Sequence, residues 1–179
     1  VQNCNIKGSG TGVAVGTIFF STGTATGNDG NIITSNNITP SGANLPANAI
    51  YSAGTSAAID NSGITISTNN ISDYFSATLV SVGINLGATG NSAWTISNNK
   101  LFQTATRIYT AAQTHNGIFV GTGSGYVITG NTIGFANASG TGTTNMVGNT
   151  VALTGTFPSS YTTTGTSNAT RYIGINCAF

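Results

Sequence analysis

The hexapeptide Ile66-Ser67-Thr68-Asn69-Asn70-Ile71 decides the fold, because the chain keeps returning to it. The same pattern stands at Ile33-Thr34-Ser35-Asn36-Asn37-Ile38, at Ile96-Ser97-Asn98-Asn99-Lys100-Leu101 and at Ile128-Thr129-Gly130-Asn131-Thr132-Ile133. A weaker copy, Val1-Gln2-Asn3-Cys4-Asn5-Ile6, opens the chain. The copies start at 1, 33, 66, 96 and 128, in steps of 32, 33, 30 and 32 residues. A second motif keeps the same beat. Gly16-Thr17-Ile18-Phe19-Phe20 recurs as Asn48-Ala49-Ile50-Tyr51-Ser52, Val82-Gly83-Ile84-Asn85-Leu86 and Asn116-Gly117-Ile118-Phe119-Val120, and a last copy is Ile173-Gly174-Ile175-Asn176-Cys177. Two motifs in a fixed order at a fixed period are the signature of a solenoid.

Composition agrees. Across 179 residues there are four basic side chains (Lys7, Lys100, Arg107, Arg171), no Glu, and three Asp (Asp29, Asp60, Asp73). A chain this poor in Lys, Glu, Leu and Arg lacks good helix formers. Its Ile, Val, Thr, Phe and Tyr favour strands, and its 25 Gly and many Asn favour turns. The expectation is an all-β, single-stranded parallel β-helix of about five rungs, with almost no helix, as one domain over residues 1–179. Strands of three to five residues are not stable alone, but each can pair with its equivalent one turn above and below at ~4.8 Å.

The period-2 rule assigns faces. Ile33, Ile66, Ile96 and Ile128 are expected to stack inward, joined two residues earlier by Ile64, Trp94 and Tyr126. Thr65, Ser67, Thr95 and Ser97 point outward. Gly30, Gly63, Ala93 and Gly125, one position before the inner residues, suit a tight corner or a positive φ. The column Asn36, Asn69, Asn99, Asn131, with Cys4 in the first rung, predicts a corner ladder of amides bonded to one another and to turn backbone.

The Gly-Ile strand followed by x-Ile-x-x-Asn-x-Ile resembles the parallel β-helix repeat of pectate-lyase-like proteins, and that resemblance implies a right-handed coil. The period, the Asn-Asn-Ile turns and the stretch Leu45-Pro46-Ala47-Asn48-Ala49-Ile50-Tyr51 further resemble large secreted surface proteins of Bacteroidetes-type bacteria. This implies a secreted or cell-surface location. It specifies a fold, not an activity. The near-absence of charge suits the same location. Val1 is not a start Met, and the chain reads as mature protein or an excised piece.

A net charge of +1 offers no footprint for nucleic acid or anionic lipid, and no apolar run is long enough to span a membrane. No phosphate loop or cofactor motif is present; Gly121-Thr122-Gly123-Ser124-Gly125 lacks the lysine and the strand–helix setting. Metal binding is not expected, since His115 lacks a second ligand at metal spacing. The repeat is expected to falter after Ile133, with loop insertions at about 102–115 and 134–171, where a solenoid usually carries function. Met146 to Val151 weakly mimics the hexapeptide, and Thr150 to Thr154 is a candidate strand.

Two functions follow as expectations. The leading one is a non-enzymatic structural or adhesive element, by end-to-end stacking through Cys4, Ile6, Ile175 and Cys177 or by continuation in a longer chain. The alternative is a carbohydrate-active or carbohydrate-binding β-helix that meets surface glycans through Asp29, Asp60, Arg107, Tyr109 or His115. Asp29 and Asp60 are placed in the equivalent loop of successive rungs, and His115 is expected as an exposed insertion residue. The rows of Thr and Ser also suggest ice binding, but Ile32 and Val127 interrupt them. Cys4 and Cys177 lie ~24 Å apart along the axis at the strand spacing, which disfavours a bond between them. They are expected as small buried residues, or as partners across stacked copies.

Overall fold

A computed structural model of the chain describes residues 1–148, 151–155, 162–164 and 171–178, with side-chain surroundings for 1–147 and 173–178. The hexapeptide forms a strand, a corner and a second strand, and its copies stack in register. One sheet is built from β1 (Asn5–Gly8), β4 (Asn37–Pro40), β8 (Asn70–Ser72), β12 (Lys100–Phe102) and β16 (Thr132–Phe135). A second holds β3 (Ile32–Thr34), β7 (Thr65–Ser67), β11 (Thr95–Ser97) and β15 (Val127–Thr129). The Gly-Ile motif makes the third, from β2 (Ile18–Phe20), β5 (Asn48–Ser52), β9 (Ser81–Leu86), β14 (Thr114–Val120) and β20 (Arg171–Cys177). Between the third and second sheets the short strands β6 (Asn61–Ser62) and β10 (Asn91–Ser92) pair. All these pairings are parallel, and the result is a three-sided β-solenoid of about four turns, slightly fewer than expected. None of the described residues is helical.

Register follows the repeat. Ile33 pairs with Ile66, Ile66 with Ile96 and Ile96 with Ile128. Ile18, Ile50, Ile84, Ile118 and Ile175 form another column. Apart from Ile175, these columns, with Ile38, Ile71, Leu101, Trp94 and Phe20, fill one continuous core. The Trp94 ring meets Phe20 edge-on at 5.2 Å and donates its indole N–H to the Asn61 carbonyl at 2.7 Å, so its polar atom is satisfied inside.

The corners are set by left-handed residues. Immediately before each ladder position, Cys4 in the first turn and Asn in the others, stand Asn3, Ser35, Thr68, Asn98 and Gly130, with φ of 57°, 55°, 58°, 55° and 64°. The second corner uses Gly30, Gly63, Ala93 and Gly125 at 65°, 61°, 55° and 74°. The expectation of a positive φ there holds, even where the residue is alanine. An L side chain at such a φ is strained, which glycine avoids. Ala93 is exposed, so its methyl contributes little packing. Ala93→Gly is therefore expected to raise stability by about 0.5–1 kcal/mol, and Gly63→Ala to lower it by a similar amount. A Cβ at Gly63 would approach only Gly30 N, at 3.9 Å, so the second effect is purely conformational. Urea midpoints shifting in opposite directions would show it.

The late excursion leaves the coil and returns to the next position, since Ile118 pairs directly with Ile175 across it. Outside the coil, β13 (Arg107–Tyr109), β17 (Thr144–Gly148), β18 (Val151–Gly155) and β19 (Thr162–Thr164) form a side sheet. β13 and β17 run parallel and the rest antiparallel. Most of the expected Thr150–Thr154 strand lies in β18; Thr150 falls outside the described residues. Tyr109 and Met146 of this sheet, with Phe75, make a small second core.

Candidate functional site

The amide ladder is the dominant polar feature. Asn69 and Asn99 are fully buried, and Asn36 nearly so. From Asn69 onward each Oδ1 accepts two bonds from the Asn one turn earlier. Asn69 Oδ1 takes the Asn36 backbone N–H at 2.9 Å and the Asn36 Nδ2 at 3.0 Å. Asn99 Oδ1 does the same for Asn69 at 3.0 Å each, and Asn131 Oδ1 for Asn99 at 3.0 Å each. The remaining Nδ2 proton goes back to the previous turn: Asn69 to Ile33 O at 2.9 Å, Asn99 to Ile66 O and Asn131 to Ile96 O, both at 2.8 Å. Every internal amide thus ties three turns together. At the first turn Cys4 donates its backbone N–H to Asn36 Oδ1 at 3.0 Å but has no amide to offer.

Two further ladders escaped the sequence reading. At the surface, Asn37 Nδ2 donates to Asn5 Oδ1 and Asn70 Nδ2 to Asn37 Oδ1, each at 2.9 Å, until Lys100 breaks the row. At the corner of β6 and β10, Asn28 donates its backbone N–H and Nδ2 to Asn61 Oδ1 at 2.8 and 2.9 Å. Asn61 Nδ2 donates to Ser52 Oγ at 2.8 Å, and Ser52 passes the chain on to Asn91 Oδ1 at 2.5 Å. The signal was present: Asn28, Asn61 and Asn91 keep the repeat spacing and each stands two residues before a corner residue.

The three acids are turn-to-turn ties. Asp29 Oδ1 accepts from Ser62 N at 3.0 Å and Ser62 Oγ at 2.9 Å. Asp60 accepts from Ser92 Oγ. The two carboxylates share a corner, but they are offset by one position and do not form the same column. Asp29 aligns with Ser62 and Ser92, whereas Asp60 precedes Asn61. Asp73, at a different corner and a φ of 60°, accepts from Thr104 N and Oγ1, both at 2.8 Å, and forms an ion pair with Arg107. Arg107 also donates Nε–H to Gln103 Oε1 at 2.8 Å and lies 5.8 Å over the Phe75 ring. The cation expected near sugar therefore latches the 102–115 insertion to the coil.

Tyr109 and His115 do meet, but inside the protein. Both are fully buried. Tyr109 Oη stands 3.2 Å from His115 Nδ1 and donates to Ser81 Oγ at 3.0 Å, and the His115 ring stacks on Tyr74 at 4.9 Å. Burial, and secondarily the charge of Arg107, hold the His115 pKa down to about 3. Burial pushes the Tyr109 phenol far above its usual range. The expectation of an exposed His115 is corrected: it belongs to β14, not to the loop before it, and Tyr109 and Tyr74 pack against its ring. The expectation of buried cysteines is also corrected. Cys4 and Cys177 are free and exposed; among the described residues β1 pairs with β4 alone and β20 with β14 alone, so one side of each of these turns is uncovered. Ile6 is partly buried against the core and Ile175 is 40% exposed for the same reason.

A concavity among the described residues follows β5, β9 and β14. It is a trough of about 580 Å³ spanning the loops of three successive turns, with Ser56, Asp60, Thr89, Ser92 and Ser124 among its walls. Tyr126 supports it, donating its hydroxyl toward Asn91 O at 2.8 Å and Thr122 O at 2.7 Å. Burial, followed by the charge of Asp60, pushes the Tyr126 phenol up to about 12. Among the described residues, no three His, Cys, Asp or Glu gather at metal-binding distance, and no helix is long and apolar enough to cross a membrane.

Fold and site together define a parallel β-solenoid held by buried amide ladders. No protein-family model matches the chain, and comparison with curated proteins and with solved structures finds no significant match.

Proposed function

We propose that this chain is a rod-forming element of an extracellular or bacterial-surface protein, acting by holding shape and by self-association. One observation carries this reading: the ladder from Asn36 to Asn131 makes each turn the hydrogen-bond acceptor for the turn before it. Cohesion is thereby directed along the axis, the direction in which a rod bears load. The carboxylates support it, since Asp29, Asp60 and Asp73 each bridge to the following turn. Cys4, Ile6, Ile175 and Cys177 stand in the terminal turns, where a second copy or further turns of a longer chain would add by backbone pairing. The extracellular setting rests on the composition and on the resemblance to pectate-lyase-like repeats and to Bacteroidetes-type surface proteins.

The test is negative-stain electron microscopy of the untagged native material beside its size-exclusion profile. Filaments or rods whose length is a multiple of one solenoid are the expected result. Single short particles at every concentration, from the full natural gene product, would rule the proposal out.

A further inference from the structure

The buried ladder has a direction, and its two ends do not match. Asn36, Asn69 and Asn99 each donate the backbone N–H and an Nδ2 proton to the Oδ1 of the Asn one turn later. That later Asn donates Nδ2 back to the carbonyl of Ile33, Ile66 or Ile96. Each step is therefore three hydrogen bonds. In the last described turn of the ladder, Asn131 and Ile128 hold the same places, and among the described residues β15 pairs with β11 alone. Asn131 there turns Nδ2 to Thr129 O, in its own turn, at 3.2 Å. In the first turn the ladder place belongs to Cys4, whose thiol donates to Gln2 O at 3.2 Å. A thiol is a weak acceptor and has no amide N–H to give.

The rest of the two edges is complementary. Among the described residues β16 and β20 pair with β12 and β14 alone, and β1 and β2 with β4 and β5 alone. One column of the coil runs Ile6, Ile38, Ile71, Leu101, Ile133, and another runs from Ile18 to Ile175. Continued across a junction, they put Ile133 opposite Ile6 and Ile175 opposite Ile18 of a second copy. Asn176 then meets Phe19, and Cys177 meets Phe20. Phe19 and Ile175, both exposed in the single chain, gain cover there. Cys4 and Cys177 belong to different columns on different sides of the coil, so this register does not bring them together.

We propose that copies stack in the coil's own register, the Asn131 turn of one seated on the Cys4 turn of the next, and that the cysteine makes this junction the separable link of the rod. The inference rests on the rod reading and names its interface. Backbone pairing and the isoleucine columns hold the junction. The three ladder bonds are missing from it, and the Asn131 N–H is covered without an acceptor, which makes it weaker than every internal step. A rod built this way is cohesive within each copy and parts between copies.

Cys4→Asn supplies the missing Oδ1 and Nδ2 and tests the proposal. Rod length by negative-stain microscopy and the self-association constant by sedimentation velocity are measured with reductant present. The wild type is compared with Cys4→Asn, Cys4→Asp and Cys4→Ala. Cys4→Asn should tighten association at least tenfold and lengthen the rods. Cys4→Asp accepts from Asn131 but cannot donate to Ile128 O, and should gain less. Cys4→Ala should match the wild type. Urea midpoints confirm that each variant remains folded. Wild-type rods with no gain from Cys4→Asn would overturn the inference and leave the rod reading standing. Rods that are lost in Cys4→Ala or in reductant would overturn it in favour of a disulfide junction. No assembly by any of the four proteins would overturn both.

Discussion

Replacing Asn69 with alanine is expected to destabilise the solenoid by about 3–5 kcal/mol. The side chain makes four hydrogen bonds, all buried: two accepted from Asn36, one donated to Asn99 and one to Ile33 O. Alanine leaves the Asn36 backbone N–H and the Ile33 carbonyl without their partners, in an interior that water does not reach. A stranded buried polar group costs ~1–3 kcal/mol, and the missing amide volume adds to that. Asn69→Asp should be no milder, because a carboxylate cannot donate to Ile33 O or Asn99 Oδ1. Asn37→Ala, in the exposed ladder, should cost only ~0.5 kcal/mol because water replaces the lost partner. Urea denaturation of the three variants measures the difference. Equal, small losses at Asn69 and Asn37 would mean that the buried ladder does not hold the turns together.

Acid should weaken the protein through His115. Its folded pKa, about 3, lies below the unfolded value of ~6.5, so between those limits the unfolded chain binds more protons. Stability therefore rises with pH through this window, is complete above ~6.5, and is lost as the pH falls toward 3. At pH 4.5 the loss from this one group is about 2–3 kcal/mol. The charged form is disfavoured first by burial and then by Arg107, while Tyr109 and Tyr74 surround the ring without a compensating negative charge. Asp73, the nearest carboxylate to Arg107, is engaged by that guanidinium and by Thr104. His115→Phe preserves the stack on Tyr74 and removes the titration. It should flatten the dependence of the urea midpoint on pH between 6.5 and 4.5, at some cost near neutrality from the lost bond to Tyr109. Parallel pH profiles for the two proteins would show that His115 is not the group responsible.

The surroundings of the residues that occur once were not legible in the sequence. Arg107, Tyr109 and His115 lie where the repeat falters, and there no period constrains which neighbour a side chain meets. Arg107 found Asp73, 34 residues earlier, and Tyr109 and His115 found Ser81 and Tyr74. The expectation of buried Cys4 and Cys177 rests on residue type, whereas their exposure is set by which turns pair beside them. The trough was equally hidden, because loops of three different turns wall it.

What the sequence determined by itself was the coil, its register and its corners. A period of about 32 residues leaves one way to pair identical strands. Ile33, Ile66, Ile96 and Ile128 had to face inward, and the small residues from Gly30 to Gly125 had to turn. Local pattern suffices for these because every turn repeats the same physical problem. What only the tertiary structure decided was the fate of the residues that occur once: that the acids tie turn to turn, that His115 is buried, and that the loops of three turns wall a trough. Those outcomes depend on loops that depart from the coil and return, and on side chains brought together across turns that the period alone does not pair.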